Sequence, residues 1–396
     1  SDGTEAGTYI VKDIYPGATF NSGPQGLTVL GSTLFFTAED GSTGRELWKS
    51  DGTEVGTVQV EDLNTGTGGS IFASNPFIAM GSDIYFFATN GTISGLWVSN
   101  GNSITLVKEM AAFLPRAVFN NTTIYFSGRE LNTDPFALWK TDGTLAGTIP
   151  DPNFTGQPAP VAMTATSTGL GFFADDGING LVLWGYDTIN QPQPCEDPQN
   201  RRLMAAGQPM RTQKDLLLVA AYWPDVGAEL ATCDPETHSA TYRDLHPGFE
   251  GSAPQNLLSD EILGLVFFSG RHASLGREPY LYNLLTDTYT FLGDVNTAIA
   301  SSNPTQLITF GEFVFFSAET SLHGFQLWKT DGTAVGTTLV AQIHPYSNSS
   351  IQMIGVLNGY LYFTAQDHTT SNTNQLWRTD GTTAGTHKVS TIGVTT

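Results

Sequence analysis

One phrase recurs along the chain at intervals of 42 to 49 residues, and it constrains the fold more than any other feature. The phrase "FFTAEDGSTGRELWKSDGTEVGT" at 35–57 returns as "FFSAETSLHGFQLWKTDGTAVGT" at 315–337. One position of the phrase, which follows Leu in every unit but one, marks the register and gives eight units, at Trp48, Trp97, Trp139, Trp184, the degenerate Ala231, Tyr280, Trp328 and Trp377. A period of this length is typical of β-propeller blades.

Each unit contains the patterns of four short strands. The most apolar strand, such as "TLFFTAE" or "FVFFSAE", suits a strand that is covered on both faces. Such a unit cannot bury both faces alone, so we predict radial closure into an all-β, eight-bladed β-propeller of four-stranded antiparallel blades, a single domain over 1–396. The segment "TYIVKDI" at 8–14 repeats the outer strand and predicts one additional N-terminal strand. Its use, in ring closure or beside further repeats, stays open.

The motif Leu-Trp-x-Ser/Thr-Asp-Gly-Thr-x-x-Gly-Thr resembles the bacterial ELWxxDGT-repeat family of secreted or surface propeller-like proteins. The match is strong in units 1, 3, 7 and 8 and poor in units 4 to 6. The resemblance implies a secreted repeat protein and brings no catalytic residues with it.

The residues of the motif have a structural interpretation. The aspartates Asp142, Asp331 and Asp380 can accept backbone N–H bonds within their own turns. We expect positive φ at the glycine after each aspartate and at the later glycines Gly147, Gly336 and Gly385. The tryptophan supplies an apolar plate between blades. A feature repeated in many units indicates architecture rather than one site.

Charge and cysteine content limit the class of protein. Acidic residues exceed basic ones by 38 to 17, which gives a net charge of −21 and argues against nucleic acid and anionic membranes as partners. There is no run of 18 apolar residues, so we expect no membrane insertion. Cys195 and Cys233 are predicted to form a disulfide, which requires an oxidising compartment and agrees with an extracellular or cell-surface location.

Loops of uneven length collect on one face of such a disc, and we expect function there. A carboxylate begins the long loop of several units, and this set predicts a cation site, with calcium as the candidate cofactor, around the rim of the channel: Asp13, Asp62, Glu109, Asp244 and Asp294. Hydrogen bonding of each carboxylate within its own loop is the alternative. A weaker transition-metal candidate is the set His323, His344 and His368, which solvated histidines would also explain.

Aromatic and ionisable side chains in the same loops are candidates for ligand binding. Trp223 is the one tryptophan off the register position, and it leads a set of Trp223, Tyr222, Arg271, His272, His246, Phe249 and Tyr346. Exposed aromatic rings would stack against sugars, or they would fill gaps between loops. The pair Arg277 and Glu278 aligns with Arg45 and Glu46, so we interpret it as a repeated ion pair or strand cap.

The sequence therefore predicts an extracellular, non-catalytic binding propeller that recognises a glycan or other surface polymer, with a protein partner and self-assembly also open. The first alternative is a polysaccharide hydrolase or lyase with acids at the channel mouth, and the second is a structural subunit of an extracellular matrix or filament. Neither Gly-x-Ser-x-Gly nor His-Glu-x-x-His is present, so enzymatic activity stays undecided, with the balance against it.

Overall fold

In every repeat unit the apolar strand pairs antiparallel with the strand that carries the register residue. Phe36 therefore faces Trp48, and Phe316 faces Trp328. Two further strands flank this pair, and the chain forms an eight-bladed β-propeller, which confirms the predicted fold. This computed structural model describes all residues except 1–3, 5, 18–20, 72–76, 121, 155–158, 168, 188–191, 206–209, 212–214, 247–249, 261–263, 298–300, 369–373 and 395–396.

The first four blades occupy residues 25–194. Blade 1 contains β1 (Gln25–Leu30), β2 (Thr33–Glu39), β3 (Arg45–Ser50) and β4 (Val58–Glu61). Blade 2 contains β5 (Ile78–Met80), β6 (Asp83–Thr89), β7 (Ser94–Ser99) and β8 (Ile104–Glu109). Blade 3 contains β9 (Ala112–Asn120), β10 (Thr123–Arg129), β11 (Ala137–Thr141) and β12 (Ile149–Pro150), followed by a short 3-10 helix (Pro152–Phe154). Blade 4 contains β13 (Val161–Ala165), β14 (Gly169–Asp175), β15 (Leu181–Asp187) and β16 (Gln193–Pro194).

The second four blades follow the same order. Blade 5 contains β17 (Met204–Ala205), β18 (Met210–Arg211), β19 (Leu217–Trp223), β20 (Gly227–Cys233) and β21 (Ala240–Arg243). Blade 6 contains β22 (Gln255–Asp260), β23 (Leu265–His272), β24 (Gly276–Asn283) and β25 (Thr288–Phe291). Blade 7 contains β26 (Thr305–Phe310), β27 (Phe313–Thr320), β28 (Gly324–Thr330) and β29 (Thr338–Ala341). Blade 8 contains β30 (Gln352–Leu357), β31 (Tyr360–Ala365), β32 (Asn374–Thr379) and β33 (His387–Val394).

The hydrophobic core is divided among the interfaces between neighbouring blades. In the interface of blades 2 and 3, buried Ile124 clusters with Tyr85 and Leu96 of the preceding blade. Burial of such apolar surface contributes roughly 25 cal/mol per Å². The repeat unit is therefore stabilised mainly by its neighbours, as expected for a repeat architecture.

Blades 4 and 5 depart from the regular pattern. Strand β17 pairs with β15 of blade 4 and with β19 of blade 5, so the two blades share one sheet. The predicted disulfide is confirmed: Cys195 and Cys233 are bonded, and both are fully buried. The poor repeat match of these units thus coincides with a covalently joined pair of blades.

The N-terminal segment differs from the predicted additional strand. In the described residues between 6 and 17 it forms no strand and lies along blade 1 instead. Ile14 packs with Phe36 and Trp48, and Lys12 Nζ donates to the carbonyl oxygen of Thr57 at 2.7 Å. The segment therefore covers a blade face, whereas the prediction placed it in a sheet. Within the described part of the chain, no helix has the length and apolar character to cross a membrane.

Candidate functional site

The Asp-Gly-Thr phrase builds a closed hydrogen-bonded turn. Asp51 Oδ1 accepts from the Thr53 backbone N–H at 2.9 Å and from the Thr53 hydroxyl at 2.7 Å. The Thr53 hydroxyl oxygen accepts from the Gly56 N–H at 2.9 Å. The hydrogen bonds from Thr53 lower the pKa of Asp51. The same bonds recur at Asp142, Asp331 and Asp380, which supports a structural role for the phrase.

The two glycines of the turn are needed for different reasons. Gly52 has a φ of 90°, in the left-handed region, as expected. The expectation of positive φ at the later glycine is wrong, because Gly147, Gly336 and Gly385 are not among the positive-φ residues. At Gly147 a Cβ atom would lie 1.9 Å from Asp142 Oδ1. The later glycine makes room for the aspartate.

The arginine and the glutamate of the repeated pair each bind separate backbone groups and form no ion pair with each other. Arg277 Nη1 donates to the carbonyl oxygens of Ala253 and Ser269, at 2.7 and 2.9 Å. Glu278 is fully buried, and Oε1 accepts from the Ser302 N–H at 2.9 Å while Oε2 accepts from the Val295 N–H at 3.0 Å. Burial raises the pKa of Glu278 to about 7. The glutamate therefore holds the connection into the next blade.

Gln326 occupies the same position in blade 7. Its Oε1 accepts from the Ile343 N–H at 2.8 Å, and its Nε2 donates to the carbonyl oxygen of His323 at 2.7 Å. A neutral side chain thus binds the backbone of the connection into the next blade, as Glu278 does, without a buried acid.

The prediction that Trp223 is an exposed ligand-binding residue is wrong. Its side chain is 1% exposed and lies in the core cluster that contains Ala231, Cys195 and Cys233. The ring centroids of Trp223 and Tyr242 are 4.4 Å apart. Trp223 ends strand β19, and it adds an aromatic ring to the one blade whose register residue is alanine.

Other predicted ligand residues remain accessible, but the fold separates them. Tyr222 is 42% exposed and Tyr346 is 81% exposed, on blade 5 and after blade 7 respectively. Arg271 Nη1 lies 2.7 Å from Glu250 Oε2 in an exposed ion pair. His272 packs against Phe291 with ring centroids 4.9 Å apart.

The last two members of the predicted set are His246 and Phe249. His246 is half-buried, and its Nδ1 has no hydrogen-bond partner among the described residues. Phe249 lies outside the described residues. The described members of the predicted set thus form no single aromatic platform.

The predicted carboxylates do not surround the channel. They end or follow the outer strands β4, β8, β21 and β25 or lie in the N-terminal segment, and are Asp13, Asp62, Glu109, Asp244 and Asp294. Outer strands lie at the perimeter of a propeller, so each carboxylate belongs to its own blade. Over the described ranges, no three metal-ligating side chains are close enough to hold an ion.

The three histidines lie closer together than their sequence positions suggest. The ring centroids of His344 and His368 are 6.5 Å apart. His344 Nδ1 accepts from the Tyr346 N–H at 3.2 Å, and His323 Nδ1 lies 3.0 Å from the carbonyl oxygen of Pro345. His344 thus contacts the backbone of its own loop and His323 contacts the backbone of the loop after β29, as the alternative of solvated or hydrogen-bonded histidines expects.

A polar cleft of about 380 Å³ lies where blades 4 and 5 are joined. It is lined by residues that include Glu196, Asp197, Arg202, His238 and Ser239. The Glu196 side chain is 37% exposed, and Ser239 is exposed. Carboxylate and hydroxyl groups at an open cleft can accept hydrogen bonds from amide or ammonium N–H groups. This cleft is the candidate functional site.

Two arginines fix the walls of the cleft. Arg201 Nε lies 2.7 Å from buried Asp197 Oδ2. Arg202 Nη1 lies 2.7 Å from Asp176 Oδ2, and Arg202 Nε lies 3.2 Å from Glu196 Oε1. The Arg202–Asp176 pair connects the segment after β16 to blade 4, and the other two pairs lie within that segment. Sequence reasoning missed this network, although consecutive arginines in a chain with only 17 basic residues were a usable signal.

Comparisons with known proteins give the fold. No family model and no curated protein matches the chain. A structure from work on two prolyl endopeptidases aligns at a TM-score of 0.50 and 10% identity, over 93% of this chain and 49% of that chain. Prolyl oligopeptidase B from Galerina marginata aligns at 0.49 and 11%, over 93% and 49%. Puromycin hydrolase aligns at 0.43 and 12%, over 86% and 58%.

The alignment at a TM-score of 0.50 agrees with the β-propeller fold, and this chain spans about half the length of these three proteins. The sequence-based prediction of glycan or surface-polymer recognition is contradicted, because the structure that aligns at a TM-score of 0.50 comes from work on prolyl endopeptidases. The burial of Trp223 removes the aromatic residue on which that prediction depended. The polysaccharide-enzyme and matrix-subunit alternatives are not retained.

Proposed function

We propose that this chain is a peptide-binding propeller that serves a peptidase. The observation that carries the proposal is the alignment of 93% of this chain with 49% of a prolyl endopeptidase chain. The propeller would bind peptide segments, and hydrolysis would take place in a separate catalytic unit.

The chemistry of the described residues supports binding without hydrolysis. In the described ranges, the only serine hydroxyl near a histidine ring nitrogen is Ser274, 3.5 Å from His272 Nδ1. That nitrogen also approaches the backbone N–H of Ser274 at 3.3 Å, and no carboxylate bonds this imidazole among these residues. The pair is a local turn contact and lacks the oriented base that an activated nucleophile needs.

The polar cleft between blades 4 and 5 supports a peptide ligand. Glu196 and Ser239 offer hydrogen-bond acceptors at the surface, and the backbone of a peptide carries one N–H donor per residue. The ion pairs of Arg201 and Arg202 hold these walls in place before any ligand binds, which reduces the ordering cost of binding.

The test is equilibrium binding of a fluorescein-labelled peptide pool, measured by anisotropy, with unlabelled peptides and unlabelled oligosaccharides as competitors. We expect saturable binding of the labelled peptides. Unlabelled peptides should displace them, and oligosaccharides should not. Absence of binding, or competition by oligosaccharides alone, would refute the proposal. Glu196→Gln is the site variant, and Glu312→Gln, at an exposed glutamate of blade 7, is its matched control.

Two further properties are proposed with this function. An extracellular location is supported by the Cys195–Cys233 disulfide, because disulfides persist in oxidising compartments. Membership of the ELWxxDGT-repeat family is supported by the repeated phrase and its common turn geometry.

A further inference from the structure

The interface between blade 8 and blade 1 differs from the other seven interfaces between neighbouring blades. On β2, Phe36 pairs with the register residue Trp48, and Leu34 lies two residues before Phe36. Leu34 is half-buried. The residues at the same register position in the other blades are at most 3% exposed: Ile84, Ile124, Leu170, Leu217, Val266, Val314 and Leu361. Blade 1 therefore presents an incompletely covered face toward blade 8.

The other interfaces show what normally fills this space. Leu361 of blade 8 clusters with Phe315 and Leu327 of blade 7. Ile84 of blade 2 clusters with Phe35 and Leu47 of blade 1. A large aromatic side chain and a leucine from the preceding blade thus cover this position.

The blade 8 counterparts of these covering residues are Tyr362, which is buried, and Leu376, and neither belongs to the cluster described at blade 1. The cluster around Phe36 and Trp48 includes Leu34 and Ile14, and among the described residues it includes none from blade 8. Leu376, the blade 8 counterpart of Leu327, is only half-buried. The N-terminal segment covers part of the face through Ile14 and leaves the remainder open.

The open remainder is an amphipathic pocket of about 240 Å³. Its apolar wall includes Ile14, Leu27, Leu34 and Phe36. At the other end Lys12 Nζ donates to the carbonyl oxygen of Thr57. An ammonium has three N–H donors, so two remain for a ligand. Lys12 forms no ion pair with any described residue, in a chain with 38 acidic and 17 basic residues.

We infer that this pocket binds the C-terminus of a peptide, with a large apolar last side chain against Leu34 and the terminal carboxylate on Lys12. The apolar side chain replaces the Phe or Leu that fills the other interfaces. The carboxylate supplies the charge that Lys12 lacks, through a charge-assisted hydrogen bond. This inference rests on the proposed peptide-binding function and adds to the cleft between blades 4 and 5 a second site, on blade 1, that recognises the C-terminus of a peptide.

The test uses three labelled hexapeptides: one ending in Phe with a free carboxylate, the same peptide with a C-terminal amide, and one ending in Ser. We expect the free-acid Phe peptide to bind and the amide to bind about tenfold more weakly, as the loss of one charge-assisted hydrogen bond predicts. The Ser peptide should bind weakly because it leaves the apolar wall uncovered.

Protein variants provide the second arm. Lys12→Gln should weaken the free acid about tenfold and leave the amide unchanged. Lys49→Gln, on strand β3 of the same blade, should change neither affinity. Because the amide peptide probes the unaltered protein, the test does not depend on whether a variant folds.

The outcomes separate this inference from the proposed function. Equal binding of acid and amide, or no effect of Lys12→Gln, would overturn the inference while peptide binding stands. No binding of any peptide would refute both. Spontaneous disulfide formation between the introduced cysteines of Leu34→Cys and Leu376→Cys would show that blade 8 occupies the pocket, and would also overturn the inference.

Discussion

Trp223 lies on the same face of the blade 5 hairpin as Ala231, and the two share one buried cluster. Ala231 occupies the register position that carries an aromatic residue in the other blades. The tryptophan that appears out of register in the sequence therefore contributes the missing aromatic volume from a neighbouring position on the same sheet.

Replacing Trp223 should be strongly destabilising. We expect Trp223→Ala to lower the free energy of unfolding by about 3–5 kcal/mol, because it leaves a large cavity in a fully buried cluster. Chemical denaturation measures the change. Tyr222→Ala, at the exposed adjacent position, is the control and should stay within about 0.5 kcal/mol of the parent protein. Similar values for the two variants would contradict the buried position of Trp223.

The disulfide should be a major source of stability for the joined blades. Closing a loop between residues 38 apart stabilises by about 4 kcal/mol through the entropy of the unfolded chain. The double variant Cys195→Ala, Cys233→Ala should lose about this amount in denaturant unfolding. A reductant should lower the stability of the parent protein toward that of the variant and leave the variant unchanged. An unaffected parent protein would refute the prediction.

The buried glutamates should make stability depend on pH. Burial raises the pKa of Glu46 and Glu278 from 4.5 to about 7. The native state then holds protons that the unfolded chain releases, so the contribution of these groups to stability falls as pH rises from 4.5 to about 7.

The variant Glu278→Gln should flatten this dependence, since glutamine does not titrate and Gln326 performs the same clamping function in blade 7. Unfolding free energies at pH 5 and pH 7.5 give the slope. Glu312→Gln, at an exposed glutamate, should leave the slope unchanged. An unchanged slope in Glu278→Gln would show that the buried acid does not titrate in this range.

The turn of blade 3 should show coupling between its aspartate and its later glycine. Gly147→Ala places a Cβ 1.9 Å from Asp142 Oδ1, and we expect it to cost about 1–3 kcal/mol. In an Asp142→Ala background the same change should cost much less. A double-mutant cycle measures the coupling energy. If the stability losses of the two single variants simply add in the double variant, the glycine is required for another reason.

The repeat made the blade count predictable, because period and strand pattern are local properties of the sequence. Trp223 was misassigned because its burial depends on the space beside Ala231, which appears only when β19 and β20 pair. The sequence predicts a shared site for Asp62 and Asp294, but the two residues occupy the same position in different blades. Such positions are related by rotation about the propeller axis, so they are not neighbours. The repeat also concealed the cleft near Arg202, which forms where β17 joins two blades.

The central claim is that this propeller binds peptides and leaves them intact. Its most direct test is mass spectrometry of a defined peptide pool, after incubation with the purified protein and recovery of the bound fraction. We expect peptides to be enriched in the bound fraction with unchanged masses. Recovery of shortened peptides, or no enrichment of any peptide over the starting pool, would contradict it.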